Sequence, residues 1–282
     1  MHRLRHRGEG GTGRGARWAG GVTDEWPAPR LPASEQAFLG ASALLFAGSA
    51  ALTVAWSLAP PGFDICGGAG SMGWRPSPGE SWPGAAAAFL GMWMVMMAAM
   101  MLPSLVPTLR HYRRAAGGAG ATALGRLTLL AGTGYFFIWA LAGAAVFVLG
   151  AALAVLQPWL PSPTAGLATG LVVMAAGGLQ FTPWKARHLA TCRTAPTLGG
   201  ALSADPATAW RYGLHLGRHC CCSCAGPMTV LLVAGLMDLA AMGAATAAIT
   251  AERLAPAGAR VAHGTGAAAV LTGLLMFAGW IG

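Results

Sequence analysis

Six stretches of the chain are apolar for the length of a membrane crossing, and polar and basic residues collect between them. The stretches run over 36–58, 85–109, 127–155, 165–181, 223–249 and 265–281. A helix needs about 20 mainly apolar residues to span a bilayer. These runs are continuous and do not alternate, which excludes the strands of a membrane β-barrel. Ala and Leu dominate them and β-branched residues are few, as helices prefer. The pattern predicts an all-α fold, a polytopic membrane helix bundle of six transmembrane helices spanning 36–282. The segment 1–35 is rich in Gly, Arg and His without a periodic apolar face, and it reads as a disordered basic cytoplasmic tail. A cleavable signal peptide is not expected, because the first apolar run exceeds the about 7–15 residues of a signal-peptide core.

Composition agrees with the pattern. Of 282 residues, 55% are hydrophobic and 10% charged, against about 25% charged in a soluble domain. Disorder over most of the chain is excluded as well, since that needs low hydrophobicity and high charge. The formal charge of +9 would suggest a nucleic-acid partner in a soluble protein. Here its distribution gives another meaning. Six Arg lie in 1–35; Arg110, Arg113, Arg114 and Arg126 lie between spans two and three. Lys185, Arg187, Arg193, Arg211 and Arg218 lie between spans four and five. The opposite loops hold only Arg75, Arg253 and Arg260. By the positive-inside rule both termini face the cytoplasm (N-in/C-in), and the partner is the lipid bilayer, not nucleic acid. The Arg-for-Lys preference and the Ala/Gly richness fit a GC-rich bacterial genome, hence a multi-pass protein of the cell inner membrane.

Span two holds the first candidate chemistry. Six methionines fall between Met92 and Met101. Met94, Met97 and Met101 share a helical stripe at i, i+3 and i+7, and Met96 and Met100 form a neighbouring i, i+4 pair. Met is a flexible apolar filler, but a thioether is also a soft neutral ligand that selects Cu(I) over hard ions. Pro103 predicts a kink, with Ser104 placed to satisfy loosened backbone.

Span five opens on the second, His219-Cys220-Cys221-Cys222-Ser223-Cys224. On a helix Cys220, Cys224 and Met228 share one face. At a cytoplasmic boundary thiols stay reduced, so a thiolate metal site or a redox function is expected in place of structural disulfides, with Cys222 and His219 as further metal candidates. The spacing is not that of a zinc finger. His188 and Cys192, four apart, add two soft donors on the same side of the membrane, and a solvated basic face accounts for Lys185, Arg187 and Arg193. Asp238 falls near the middle of span five, where a charge is costly and usually functional or paired. Gln180 is a less specific polar candidate. Asp64, Cys66 and Met72 lie in the loop 59–83.

Three segments together carry a resemblance: Met96-Met97-Ala98-Ala99-Met100-Met101-Leu102-Pro103-Ser104, Gln180-Phe181-Thr182-Pro183-Trp184-Lys185 with Cys192-Arg193, and the cysteine run with Gly235-Leu236-Met237-Asp238-Leu239 and Glu252-Arg253. Over about 85–255 the chain resembles the domain of unknown function 2182 family, predicted metal-binding integral membrane proteins. It departs from that family's pattern at His188, where a Cys is expected, and at Asp238, where an Asn is expected. The resemblance implies delivery of copper to a tyrosinase-type enzyme, as some members are thought to do.

The sequence therefore predicts a membrane metal-binding protein that binds Cu(I) and passes it to a copper-dependent enzyme or metallochaperone. The expected metal set is Met94, Met96, Met97, Met100, Met101, His188, Cys192, His219, Cys220, Cys222, Cys224, Met228 and Asp238. Two alternatives stand beside it: an ion or small-solute transporter in which Asp238 titrates, and a non-catalytic scaffold subunit. An enzyme is not expected, because no phosphate loop, nucleophile elbow, HExxH motif or carboxylate pair is present.

Overall fold

A computed structural model describes residues 31–58, 81–116, 120–156, 159, 162–194 and 205–281. The expected tail up to residue 30, and Asp64, Cys66 and Met72, lie outside the described residues. Among those described there are eight α-helices and no strand: α1 (Ala33–Ser57), α2 (Trp82–Ala115), α3 (Ala121–Leu156), α4 (Ser162–Leu179), α5 (Pro183–Thr194), α6 (Pro206–Ala234), α7 (Leu239–Leu254) and α8 (Gly258–Ile281). Five of them, α1, α2, α3, α6 and α8, are long and apolar enough to cross a bilayer.

Side-chain contacts fix the helix directions. Glu35 at the start of α1 pairs with Arg110 at 2.6 Å and Arg113 at 3.4 Å near the end of α2, so these two helices are antiparallel. Trp93 Nε1 donates to the Trp139 carbonyl at 2.9 Å and Arg113 Nη1 to Thr128 Oγ1 at 3.1 Å, which sets α3 antiparallel to α2. Helix α6 runs parallel to α3, and glycine makes this possible. A Cβ on Gly213 would stand 2.1 Å from the Ala131 carbonyl oxygen, and one on Gly217 2.7 Å from that of Tyr135. Small residues at such crossings let backbones approach closely. Helices α4 and α8 pack antiparallel in the same way, Gly170 against Gly273 and Gly177 against Gly266.

The predicted fifth span, 223–249, is not one helix. Helix α6 starts at Pro206, with Asp205 as its N-cap, and ends at Ala234. Gly235 takes φ 114°, a conformation L side chains rarely adopt, and the chain turns back. Asp238 then caps α7, its carboxylate accepting from Ala241 N at 2.9 Å. Asp238 is exposed, and neighbouring Met237 lies 3.8 Å from Ser57 at the end of α1. The expectation of a mid-membrane aspartate is thus corrected: it sits in a turn at one end of the bundle.

This extra reversal changes the topology. The α7–α8 turn comes back to the end where α5 lies: Arg193 of α5 donates to the Glu252 carbonyl at 2.7 Å and to the Pro256 carbonyl at 3.3 Å. Arg253 and Arg260 therefore stand at the same end as α5. Six alternating spans had placed them opposite. Helix α8 then runs away from that end, so the start of α1 and the end of α8 lie at opposite ends of the bundle, against the N-in/C-in expectation.

Candidate metal centre

Three sulfurs meet in the core where α2, α3 and α6 touch. Cys220 Sγ lies 4.0 Å from Cys224 Sγ and 3.9 Å from Met101 Sδ. All three residues are buried. The helical i, i+4 spacing turns Cys220 and Cys224 to one face, and the glycine-lined α3–α6 crossing brings the Tyr135 hydroxyl to 2.8 Å from Cys220 Sγ. Two sulfurs bound to one metal at about 2.3 Å with trigonal angles stand about 4 Å apart. The observed spacing already matches that. Helix α2 stays one helix through Pro103 and Pro107, and Ser104 Oγ donates to the Met101 carbonyl at 3.1 Å.

Beside the sulfurs lies a buried polar layer. Lys185 of α5 is 2% exposed; its ammonium pairs with Glu252 at 2.6 Å and also donates to the Ser223 carbonyl. Gln180 Nε2 and Thr265 Oγ1 each donate to the other Glu252 oxygen at 3.0 Å. The reading of Lys185 as part of a solvated basic face is thereby corrected, although Arg187 and Arg193 are exposed. Arg253 is buried too. Its guanidinium donates to Ser104 Oγ at 3.1 Å and Cys192 Sγ at 3.6 Å. Cys192 approaches the cluster through Ser223, whose Oγ stands 3.8 Å from Cys192 Sγ and 3.9 Å from Cys224 Sγ. Burial pushes the Cys192 thiol above its ordinary value, against the opposing pull of Arg253.

One turn nearer the start of α6 three imidazoles form a ladder. His188 Nδ1 stands 2.9 Å from His219 Nδ1, and His219 Nε2 stands 3.1 Å from His215 Nε2. Burial, then the nearby Arg218, lowers the affinity of His188 for a proton, so its ring favours the neutral form that ligates metals. His215 is exposed, His188 and His219 half-buried, and Cys220 fully buried. Exposure thus falls from His215 to the two other rings, and His219 directly precedes the buried Cys220 in α6.

The structure brings together part of the expected set. Met101, His188, Cys192, His219, Cys220 and Cys224 lie in or beside this region. Met96, Met97 and Met100 are buried in the apolar core, and Met94 is half-buried against it. Met228 is buried one helical turn beyond Cys224, and Cys222 is half-buried two residues from Cys220, off its face. Asp238 is remote, at the α6–α7 turn. Sequence reasoning passed over His215, whose signal was its i−4 spacing from His219. It also passed over the layer of Lys185, Glu252 and Arg253 as a unit.

Among the described residues, no three His, Cys, Asp or Glu side chains come together as a ready metal cage. The rings of the ladder meet through different nitrogens of His219, and the thiols need a thioether to complete a third position. What this defines is a helical protein with membrane-type apolar helices and a buried two-thiol, one-thioether cluster. Residues 90–276 match the family described as PpoB2, copper chaperone, and the chain belongs to that family. No curated protein and no solved structure matches. The match agrees with the resemblance drawn from the sequence and makes this a membrane-type protein of copper handling.

Proposed function

We propose that the protein carries Cu(I) on Cys220, Cys224 and Met101 and hands it to a copper-dependent enzyme. Copper is cargo here and not a resident cofactor. The observation that supports this most is the pair of buried sulfurs that flank Cys220 Sγ, Met101 Sδ at 3.9 Å and Cys224 Sγ at 4.0 Å. Thiolate and thioether donors select Cu(I), and a buried, water-poor site protects it from exchange. The fall in exposure from His215 to the half-buried His219 and His188 supports loading from the aqueous α5 end, with the imidazoles as the first donors the ion meets. No catalytic role is assigned to the protein itself.

The basic residues support an orientation. Arg253 and Arg260 join Lys185, Arg187 and Arg193 at the α5 end, which by the positive-inside rule faces the cytoplasm of a bacterial inner membrane. Helices α4 and α7 have 18 and 16 residues, about 27 and 24 Å at 1.5 Å per residue. They are short for a bilayer core of about 30 Å, but with them seven helices cross.

The test is copper analysis of full-length protein loaded with Cu(I) under reducing conditions. Wild type should retain bound copper, Cys220→Ser/Cys224→Ser should lose it, and Met101→Leu should bind more weakly. A Met94→Leu/Met96→Leu/Met100→Leu variant should stay near wild type. Equal copper content throughout would overturn the reading.

A further inference from the structure

The buried charges near the sulfurs do not cancel. Lys185 and Glu252 pair at 2.6 Å, and Arg113, the other buried cation besides Arg253, has Glu35. Among the described residues Arg253 has no carboxylate within 4 Å. It is 8% exposed; among the described residues it reaches a hydroxyl and a thiol, and its Nε has no hydrogen-bond partner there. An arginine in a protein does not lose its proton. A permanent, unpaired positive charge in an apolar interior is costly, and it persists in a sequence only where something offsets it. The groups it touches are Ser104 and Cys192, and each leads to the sulfurs: Ser104 Oγ donates to the Met101 carbonyl, and Ser223 Oγ stands between Cys192 Sγ and Cys224 Sγ.

Resting on the proposed copper site, we infer that Arg253 is a specificity-determining residue that makes the pocket selective for a monovalent soft ion over a divalent one. The charge balance runs through the thiolates, since the thiolate and not the thiol is the ligand. When Cu(I) binds, Cys220 and Cys224 each release a proton to solvent, two Cu–thiolate bonds and one Cu–thioether bond form, and no electron moves. The complex carries one net negative charge. With the guanidinium beside it the buried assembly is neutral. Zn(II) on the same three sulfurs gives a neutral complex and leaves the charge of Arg253 unbalanced in the core. The same arithmetic admits Ag(I), which shares the charge and softness of Cu(I).

The discriminating experiment titrates purified full-length protein with Cu(I), Ag(I) and Zn(II), each against a competing chelator. Wild type should prefer both monovalent ions. Arg253→Met should weaken Cu(I) and Ag(I) by about 10–100-fold, the usual range for removing a supporting partner of a metal site, while Zn(II) is held as well or better. Arg253→Lys keeps the charge and should keep the preference. Ser104→Asp puts a carboxylate against the guanidinium with Arg253 still in place, and it should erode the preference as Arg253→Met does. It decides the matter if Arg253→Met does not fold. Equal losses for all three ions, or an unchanged Cu(I)-to-Zn(II) ratio, would overturn the inference and leave the copper site standing. Wild type binding neither Cu(I) nor Ag(I) would remove both.

Discussion

Removing one side of the Lys185–Glu252 pair leaves a full charge in the core with its partner gone. Breaking a buried pair in this way costs about 3–5 kcal/mol, whereas replacing both partners by apolar groups is often close to neutral. Lys185→Met and Glu252→Gln should therefore each lower unfolding stability by about that amount, and Lys185→Met/Glu252→Met should lie closer to wild type than either. Denaturant unfolding in detergent measures it, and additive losses in the double variant would contradict the account. The sequence hid this pair because its members are 67 residues apart, and a lone Lys among Arg187 and Arg193 looks like a solvated face. The shared face of Cys220 and Cys224 was easier to read, since their i, i+4 spacing depends only on the helix they share. Which methionine stands beside Cys220 was not legible, since that depends on how α2 is rotated against α6.

At the scale of elements, the missed feature is the break between α6 and α7. Its signals were present, a glycine followed three residues later by an aspartate, which are the residues helices use to stop and to start. Continuous hydropathy from 223 to 249 masked them. Asp238→Ala removes the acceptor for Ala241 N and should cost about 0.5–2 kcal/mol as a lost N-cap, while Asp238→Asn, also a good cap, should cost little. Neither should change Cu(I) affinity. A copper or transport defect in Asp238→Asn with normal stability would restore a functional role to this carboxylate. The helix crossings give a sharper contrast. Gly213→Val drives a side chain into the Ala131 backbone, whereas Gly178→Ala meets nothing within 4 Å. Overpacking costs about 1–3 kcal/mol, so only Gly213→Val should lower thermal stability. Because Tyr135 reaches Cys220 across that same crossing, it should also weaken Cu(I) binding.

The topology of the whole molecule follows from that one break. Hydropathy alone supports six crossings and puts both termini on one side. Dividing span five adds a reversal, and the contacts of Arg193 with the Glu252 and Pro256 carbonyls fix which end the α7–α8 turn reaches. Charge then agrees better with the revised path than with the original: Arg253 and Arg260 join Lys185, Arg187 and Arg193 at the α5 end. The bias had been readable in the sequence, but its three exceptions could not be resolved without knowing where α7 ends. If the α5 end is cytoplasmic, a reporter fused after α8 should be periplasmic. Alkaline phosphatase fused there should be active and a fluorescent protein dark, while the same reporters inserted near residue 200, between α5 and α6, should give the reverse. Both fusions reporting from the cytoplasm would return the chain to six crossings. That result would also require Lys185 and Glu252 to stand on opposite sides of the membrane, which a 2.6 Å ion pair does not allow.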